Sequence, residues 1–506
     1  METSTVDVNH HPQPPHIVLL ASPGTGHLIP VLELGIRLVT HHNATVTVFV
    51  VATDHSSPAE AHLILDATAR AHYSSKNNTF NVVKLPPPDI SNLTGPETAV
   101  VTHICMLMRE TRPTLRSAMR SLEVPPAALV VDLFGTESFA IADEMEIGKY
   151  LLVTSNAWFT ALALHTPALD REVDGQYVDQ TEPLTIPGCR SIRPDEVVDP
   201  MLDRNDMQYV EYKRTGAEFA KADGILINTW EDLEPSTLAA LRNDKFFGRS
   251  IIKGDVLSIG PLVRPSNNQR GPTEDDELFS WLDKQPKQSV IYVSFGSVGT
   301  LSTHQLNELA YGLELSKQRF VWVVRRPTDS NDSAGGSGEI PGRLNYLPGG
   351  FLERTRYVGM VVPNWAPQAE VLSHPSVGWF LSHCGWNSTL ESVTNGVPMV
   401  AWPMYAEQRM NSTLLAEELK VAARTKTLPW RGVVGRDEIA ELVKKVMVGE
   451  EGVLIREKVN EVKWSGEKVN EVKCSGEKAL KEGSGSSFRA LASVVDKCTC
   501  RYATKF

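Results

Sequence analysis

His27 closes the short run Pro23-Gly24-Thr25-Gly26-His27. Imidazole titrates near neutral pH, so a histidine at the mouth of a glycine turn can take a proton from a hydroxyl. A helix-start histidine bonded to backbone accounts for the same residue. Asp132 ends the apolar run Leu129-Val130-Val131, where a carboxylate is costly to bury unless it is paired. Such a group can hold the tautomer of an imidazole and stabilise the imidazolium that forms. It can equally cap the helix that follows.

A denser group lies between Trp365 and Gln408: Trp365, Gln368, His383, Trp386, Asn387, Ser388, Glu391, Glu407 and Gln408. Its centre, Ser382-His383-Cys384-Gly385-Trp386-Asn387-Ser388, follows an apolar run and opens a helix. Small polar residues at a helix start offer free N–H groups and a positive dipole end, which suit a pyrophosphate. His383 adds a donor. Glu391 lies one turn beyond Asn387 and suits a pair of ribose hydroxyls. Trp365 offers a flat face for a base, and Glu407-Gln408 carry acceptors and donors for sugar hydroxyls. Each tryptophan alone could be core, but polar residues at successive strand ends are hard to explain as packing.

These residues need strands and helices to hold them. His16–Ser22 is a short apolar run, followed by the glycine turn and by Leu28–Val39 at helical spacing, which is the opening unit of a parallel sheet. The alternation continues with strands at 45–52, 127–134, 150–154 and 224–229, and helices at 136–147, from 156, and at 233–241. A polar stretch, 264–277, reads as a linker. Strands then recur at 289–295, 320–324, 377–381 and 399–402, with a helix at 303–316. The fold class is α/β, with two doubly wound, Rossmann-like domains and a cleft between them. In such sheets ligands bind outside the carboxyl ends of the strands. The Gly/Ser-rich stretch 326–347 reads as a mobile loop. EKVNEVKWSG at 457–466 and EKVNEVKCSG at 467–476 form a tandem copy, read as lengthening a charged surface helix.

A length of 506 residues implies more than one core, and 42% hydrophobic with 22% charged residues is a globular composition. Fifty Lys+Arg against 61 Asp+Glu give a net charge of -11, which argues against nucleic acid or anionic membrane as the main partner. The first fifteen residues are polar and lack the basic start and apolar stretch of a secretory signal. The chain shows no transmembrane run. Six cysteines make no paired framework, and Cys498-x-Cys500 has no second ligand pair for zinc. A reduced, cytoplasmic setting follows, in which the Asn-x-Thr matches at Asn43 and Asn92 carry no meaning. The turn at Gly24 lacks the third glycine of a dinucleotide fingerprint, which tells against NAD.

From Trp365 to Gln408 the sequence WAPQAEVLSHPSVGWFLSHCGWNSTLESVTNGVPMVAWPMYAEQ resembles throughout the signature box of plant family 1 UDP-glycosyltransferases. PGTGHLIP, VVDLFGTE, INTWEDLEP, SIGPL, SFGSVGT and RFVWVVR extend the resemblance from about His16 to about Val448. They look closest to the phenylpropanoid subgroup of hydroquinone, monolignol and so-called anthocyanidin 3-O-glucosyltransferases. The resemblance implies the GT-B architecture: a disordered N-terminus at 1–15, an acceptor-binding domain at 16–258 and a linker at 259–277. A UDP-sugar-binding domain at 278–483 and a terminal helix at 484–506 crossing back to the first domain complete it. It further implies that Trp365, beside Ala366, stacks on uracil, that Gln368 fixes the nucleoside and that Glu391 holds the ribose. His383, Asn387, Ser388 and Ser297 would contact the pyrophosphate, and Trp386, Glu407 and Gln408 the sugar. Gln408 favours UDP-glucose. His27 becomes the base and Asp132 its partner. Three departures stand out: the bulky Gly378-Trp379 step, the tandem copy, and the tail from Cys498.

The expected reaction is an inverting transfer of glucose from UDP-glucose, as co-substrate, to a hydroxyl of a small phenolic acceptor, giving a β-O-glucoside. No D-x-D occurs in the chain, which fits chemistry without a metal or other cofactor. Trp158 and Phe159 are candidates for an acceptor-pocket wall, or else ordinary helix core. The expected state is a monomer. The rivals are a UDP-sugar epimerase or hydrolase on the same scaffold, and a sugar-nucleotide sensor without turnover.

Overall fold

The computed structural model describes residues 14–52, 58–74, 79–243, 245–247, 251–265, 276–327, 329, 344–464 and 479–505. The linker segment at 266–275, most of the loop at 326–347, the end of the first tandem copy and all of the second lie outside them, as do residues 1–13.

Two all-parallel sheets carry the chain. The first holds β1 (His16–Ala21), β2 (Thr45–Val51), β3 (Phe80–Leu85), β4 (Ala128–Asp132), β5 (Gly148–Val153), β6 (Gly224–Ile227) and β7 (Asp255–Ser258). Their order is β3-β2-β1-β4-β5-β6-β7. The second holds β8 (Val290–Ser294), β9 (Arg319–Val324), β10 (Gly359–Pro363), β11 (Val377–Ser382), β12 (Met399–Ala401) and β13 (Ala422–Arg424), in the order β10-β9-β8-β11-β12-β13. Helices cover both faces, so the central strands read as unbroken apolar runs: every residue of β1, β4, β8 and β11 is buried.

Strand order reverses between β1 and β4 in the first sheet and between β8 and β11 in the second. At each reversal the loops leaving two neighbouring strands part and open a crevice. His27 follows β1 and Asp132 ends β4. Ser297 follows β8 and His383 follows β11. The two reversals therefore gather the candidate residues of each domain.

The bulky Trp379 is fully buried within β11, and Arg456 of the helix Glu450–Trp464 lies 6.0 Å from its ring centroid. The register against β8 shifts between Val377 and Trp379. Gly378 is required there, because a Cβ would lie 2.4 Å from the Gln288 carbonyl oxygen. The first tandem copy enters the helix Glu450–Trp464, where Val459 is fully buried.

The final helix, Ser486–Lys505, lies against the first domain. Its Leu491, Val494, Val495 and Cys498 join Ile17, Leu19, Val130 and Ile259 in one apolar cluster. Ser487 Oγ donates to the Gly260 carbonyl at 2.7 Å. Among the described residues no helix is long and apolar enough to cross a membrane.

Candidate active site

The helix Thr25–His41 starts at Gly24, whose φ of 101° suits glycine, and it has no side-chain cap. His27 stands in its first turn with its side chain 21% exposed, while Asp132 is fully buried. His27 Nδ1 lies 3.3 Å from Asp132 Oδ2. The carboxylate also accepts from Ser22 N at 2.9 Å, Ser22 Oγ at 2.5 Å and Phe134 N at 3.3 Å, so its burial is compensated. It does not cap the short helix Thr136–Ser138, which has no side-chain cap. Thr154 Oγ1 stands 3.5 Å from the same imidazole nitrogen, and the Phe134 ring lies 5.2 Å from the imidazole. With Nδ1 turned to the carboxylate, Nε2 is the nitrogen free to take a proton.

In the second domain the helix Trp386–Asn395 follows β11 and is capped by Gly385 without any side-chain bond. The N–H groups of its first turn thus have no intrahelical partner, and the dipole adds positive character. His383 lies between Gly296 and Gly385: a Cβ on either would approach its Nε2 to 2.5 or 2.4 Å. Burial, aided by the Arg325 cation, lowers the His383 pKa to about 4, so it is a neutral donor near pH 7. Its Nδ1 is buried without a partner among the described residues.

Gln368 donates to Ser388 Oγ at 2.8 Å and to Glu391 Oε2 at 2.7 Å. Burial raises the Glu391 pKa to about 7, against the Gln368 bond and the Arg264 cation, with Glu370 adding to the rise. Trp365 is 51% exposed and offers an open indole face, whereas its neighbour Ala366 is buried. Gln408 is buried, and its side-chain oxygen accepts from Met404 N at 3.0 Å and Tyr405 N at 3.1 Å. The oxygen thus shapes its own turn.

The two groups meet across the cleft. Thr25 Oγ1 donates to Ser297 Oγ at 3.0 Å, and Asn387 Nδ2 donates to the Gly26 carbonyl at 3.1 Å. Trp386 Nε1 donates to the Asn228 carbonyl at 2.7 Å, so this indole spans the domains. Ser155 Oγ donates to Glu407 Oε1 at 3.2 Å, and Asn156 Nδ2 to Asn411 Oδ1 at 2.7 Å. The base candidate and the helix start therefore line one gap.

Trp158 lies in the core of the first domain, and Phe159 is nearly as buried, with its ring edge-on to Tyr212 at 6.2 Å. Neither presents an open wall, because residues 157–164 of the helix Ala157–Glu172 are all buried and the helix packs against the helix Met207–Phe219. Sequence reasoning passed over Ser22, Thr25, Thr154, Ser155, Asn228 and Asn411. Their types are common in loops, and only the folded topology brings them to the gap. Polar residues just past an apolar strand, Thr154, Ser155 and Asn156 after β5 and Asn228-Thr229 after β6, are the available signal. Among the described residues no group of three or more His, Cys, Asp or Glu is placed to hold a metal.

Residues 268–450 match the family described as UDP-glucoronosyl and UDP-glucosyl transferase. The chain is 54% identical over 487 residues to anthocyanidin 3-O-glucosyltransferase 5 of Manihot esculenta, covering 95% of this chain and 94% of that protein. It is 43% identical to the hydroquinone glucosyltransferase of Rauvolfia serpentina, covering 96% and 97% respectively. In structure it is similar to Phytolacca americana UGT2 complexed with UDP-2fluoro-glucose and pterostilbene. That likeness has a TM-score of 0.82 and 37% identity over 96% of this chain and 100% of that one. The paired Rossmann-like domains are thus the GT-B fold, and the chain belongs to the UDP-glycosyltransferase family.

Proposed function

We propose that this enzyme transfers glucose from UDP-glucose to a hydroxyl of a small phenolic acceptor of the hydroquinone, monolignol or flavonoid type, with inversion to a β-O-glucoside. The observation that carries the reading is the His27–Asp132 pair, 3.3 Å apart, facing the uncapped start of the helix Trp386–Asn395. The names of the relatives support a phenolic acceptor, and Gln408 supports glucose.

In this reading His27 Nε2 takes the phenolic proton while Asp132 steadies the imidazolium. The oxygen attacks the anomeric carbon from the face opposite UDP. A phenol with a pKa of about 10 is a poor nucleophile at neutral pH, so a placed base is worth roughly 10²–10⁴-fold. The leaving diphosphate gains charge, which the N–H groups at Asn387 and Ser388, with His383 and Ser297, are set to receive. Trp365 and Ala366 flank the uracil, Gln368 and Glu391 hold the nucleoside, and Trp386, Glu407 and Gln408 meet the sugar. Residues 16–258 bind the acceptor and 278–483 the donor, and 484–506 tie the two. Phe159, with Trp158 behind it, backs the acceptor region. The enzyme works in the cytoplasm as a monomer without a metal.

Mass spectrometry of phenolic acceptors incubated with UDP-glucose, with and without EDTA, tests the proposal. The expected result is a mono-glucoside in both, β by its anomeric proton coupling. Release of free glucose alone, or an α-product, would overturn it.

A further inference from the structure

The segment Met404–Gln408 is held from both domains. Met404 N and Tyr405 N are bound by Gln408 Oε1 of the same turn, but the next peptide is not. Ala406 has φ 57°, a left-handed conformation that alanine adopts only when its surroundings enforce it. Its N–H donates to Asp199 Oδ2 at 2.6 Å, and its carbonyl accepts from Asp199 N at 3.1 Å. Both bonds come from the first domain, from the short helical turn Asp199–Met201. Asp199 thus grips one residue by both backbone groups, immediately before Glu407 and Gln408.

Further contacts fix the level of this grip. Glu196, fully buried, accepts from Arg424 Nη2 at 2.7 Å and from Thr413 Oγ1 at 2.8 Å. Asp195 accepts from Trp430 Nε1 at 2.9 Å and from Arg431 at 2.6 Å. Arg193 in turn pairs with Glu417. The arm 193–199 is thereby docked on the second domain by charge, and Asp199 is its end. Asp199 Oδ1 has no hydrogen-bond partner among the described residues and lies 3.9 Å from Arg409 Nη2.

We propose that Asp199 is a positioning residue for donor-sugar specificity: by holding Ala406 in its left-handed conformation from across the cleft, it sets where Glu407 and Gln408 meet the sugar. The inference rests on the reading that those two residues contact the sugar. It means that the sugar-recognising turn is complete only when the first domain is docked, so the acceptor-side domain takes part in choosing the donor.

The test is steady-state kinetics of Asp199→Ala and Asp199→Asn with UDP-glucose and UDP-galactose, beside calorimetric binding of UDP. Asp199→Ala should raise the UDP-glucose KM about tenfold or more, the usual effect of losing a bond to a charged acceptor. The glucose-over-galactose preference should narrow, while UDP affinity stays as in the parent, since the nucleotide residues are untouched. Asp199→Asn, whose amide oxygen still accepts from Ala406 N–H, should restore most of both. An unchanged KM and preference in Asp199→Ala, or an Asn variant no better than Ala, would overturn the inference. So would equal losses of UDP affinity and thermal stability in both variants, the mark of a purely structural role. Glu407→Ala separates the underlying reading: if it leaves the UDP-glucose KM unmoved, the assignment of the sugar contacts fails first.

Discussion

Asn387 donates its side-chain amide to the backbone carbonyl of Gly26 at 3.1 Å, so the start of the helix Trp386–Asn395 touches the turn that carries His27. On the proposed mechanism, this bond sets the distance across which the acceptor oxygen must reach the sugar. Asn387→Ala should therefore lower kcat/KM by about 10–100-fold, through loss of one bond and looser docking. Single-turnover kinetics with saturating donor check it. A rate equal to the parent would mean that the gap is set elsewhere.

On the proposed mechanism, removing the His27 imidazole removes the base. His27→Ala should lose about 10²–10⁴-fold in kcat with a phenolic acceptor. Binding of UDP, measured by calorimetry, should be unchanged, because His27 belongs to the other domain. Asp132→Asn should also lower kcat, since the amide can present its NH₂ to Nδ1 and favour the wrong tautomer.

Glu391 gives a pH dependence whose sign is fixed by burial. Its pKa rises from 4.5 to about 7 in the folded protein, so the folded state binds more protons than the unfolded chain between those values. Stability from this group is therefore full below pH 4.5 and is lost as pH rises to about 7, by roughly 3 kcal/mol. At pH 8 the ligand-free Glu391→Gln variant should melt higher than the parent, and the difference should close towards pH 4.5. On the proposed ribose contact, the same variant should bind UDP more weakly at pH 8, because hydroxyls donate better to the charged carboxylate. A lower melting point at pH 8 would refute the burial argument.

The cradle around His383 admits no side chain. A Cβ at Gly385 would lie 2.4 Å from the imidazole Nε2 of the buried His383, so the ring must shift to admit it. Gly385→Ala should cost about 1–3 kcal/mol of stability and weaken UDP binding. Gly296→Ala should do the same with added backbone strain, since φ there is 75°. Thermal melts with and without UDP report both effects, and a normal UDP-induced shift would show that the ring can move after all.

The strands that sequence periodicity brought out are the central ones. Those it passed over, β3, β7, β10 and β13, are the four edges of the two sheets. An edge strand is covered on fewer sides, so Phe80–Leu85 and Gly359–Pro363 keep only partial burial and lose the unbroken apolar signature. His27, Asp132 and the residues around Asn387 were legible because each closes a strand or opens a helix. The bridging partners were not. Asn228 acts through its carbonyl, a group every residue has, and Asp199 meets Ala406 across 207 residues of chain. No local pattern encodes either contact.

The helix Ser486–Lys505 gives the first domain a debt to residues made long after its own strands. As the chain leaves the ribosome, the strands β1 to β7 emerge early, yet the apolar cluster around Ile17 and Leu19 stays open until Leu491 and Val494 arrive. The second sheet, contiguous from β8 to β13, has all of its strands before then. Synthesis order and completion order thus run opposite ways. A message cut short before codon 486 yields a protein whose later half can close while its earlier half shows bare hydrocarbon to the cell.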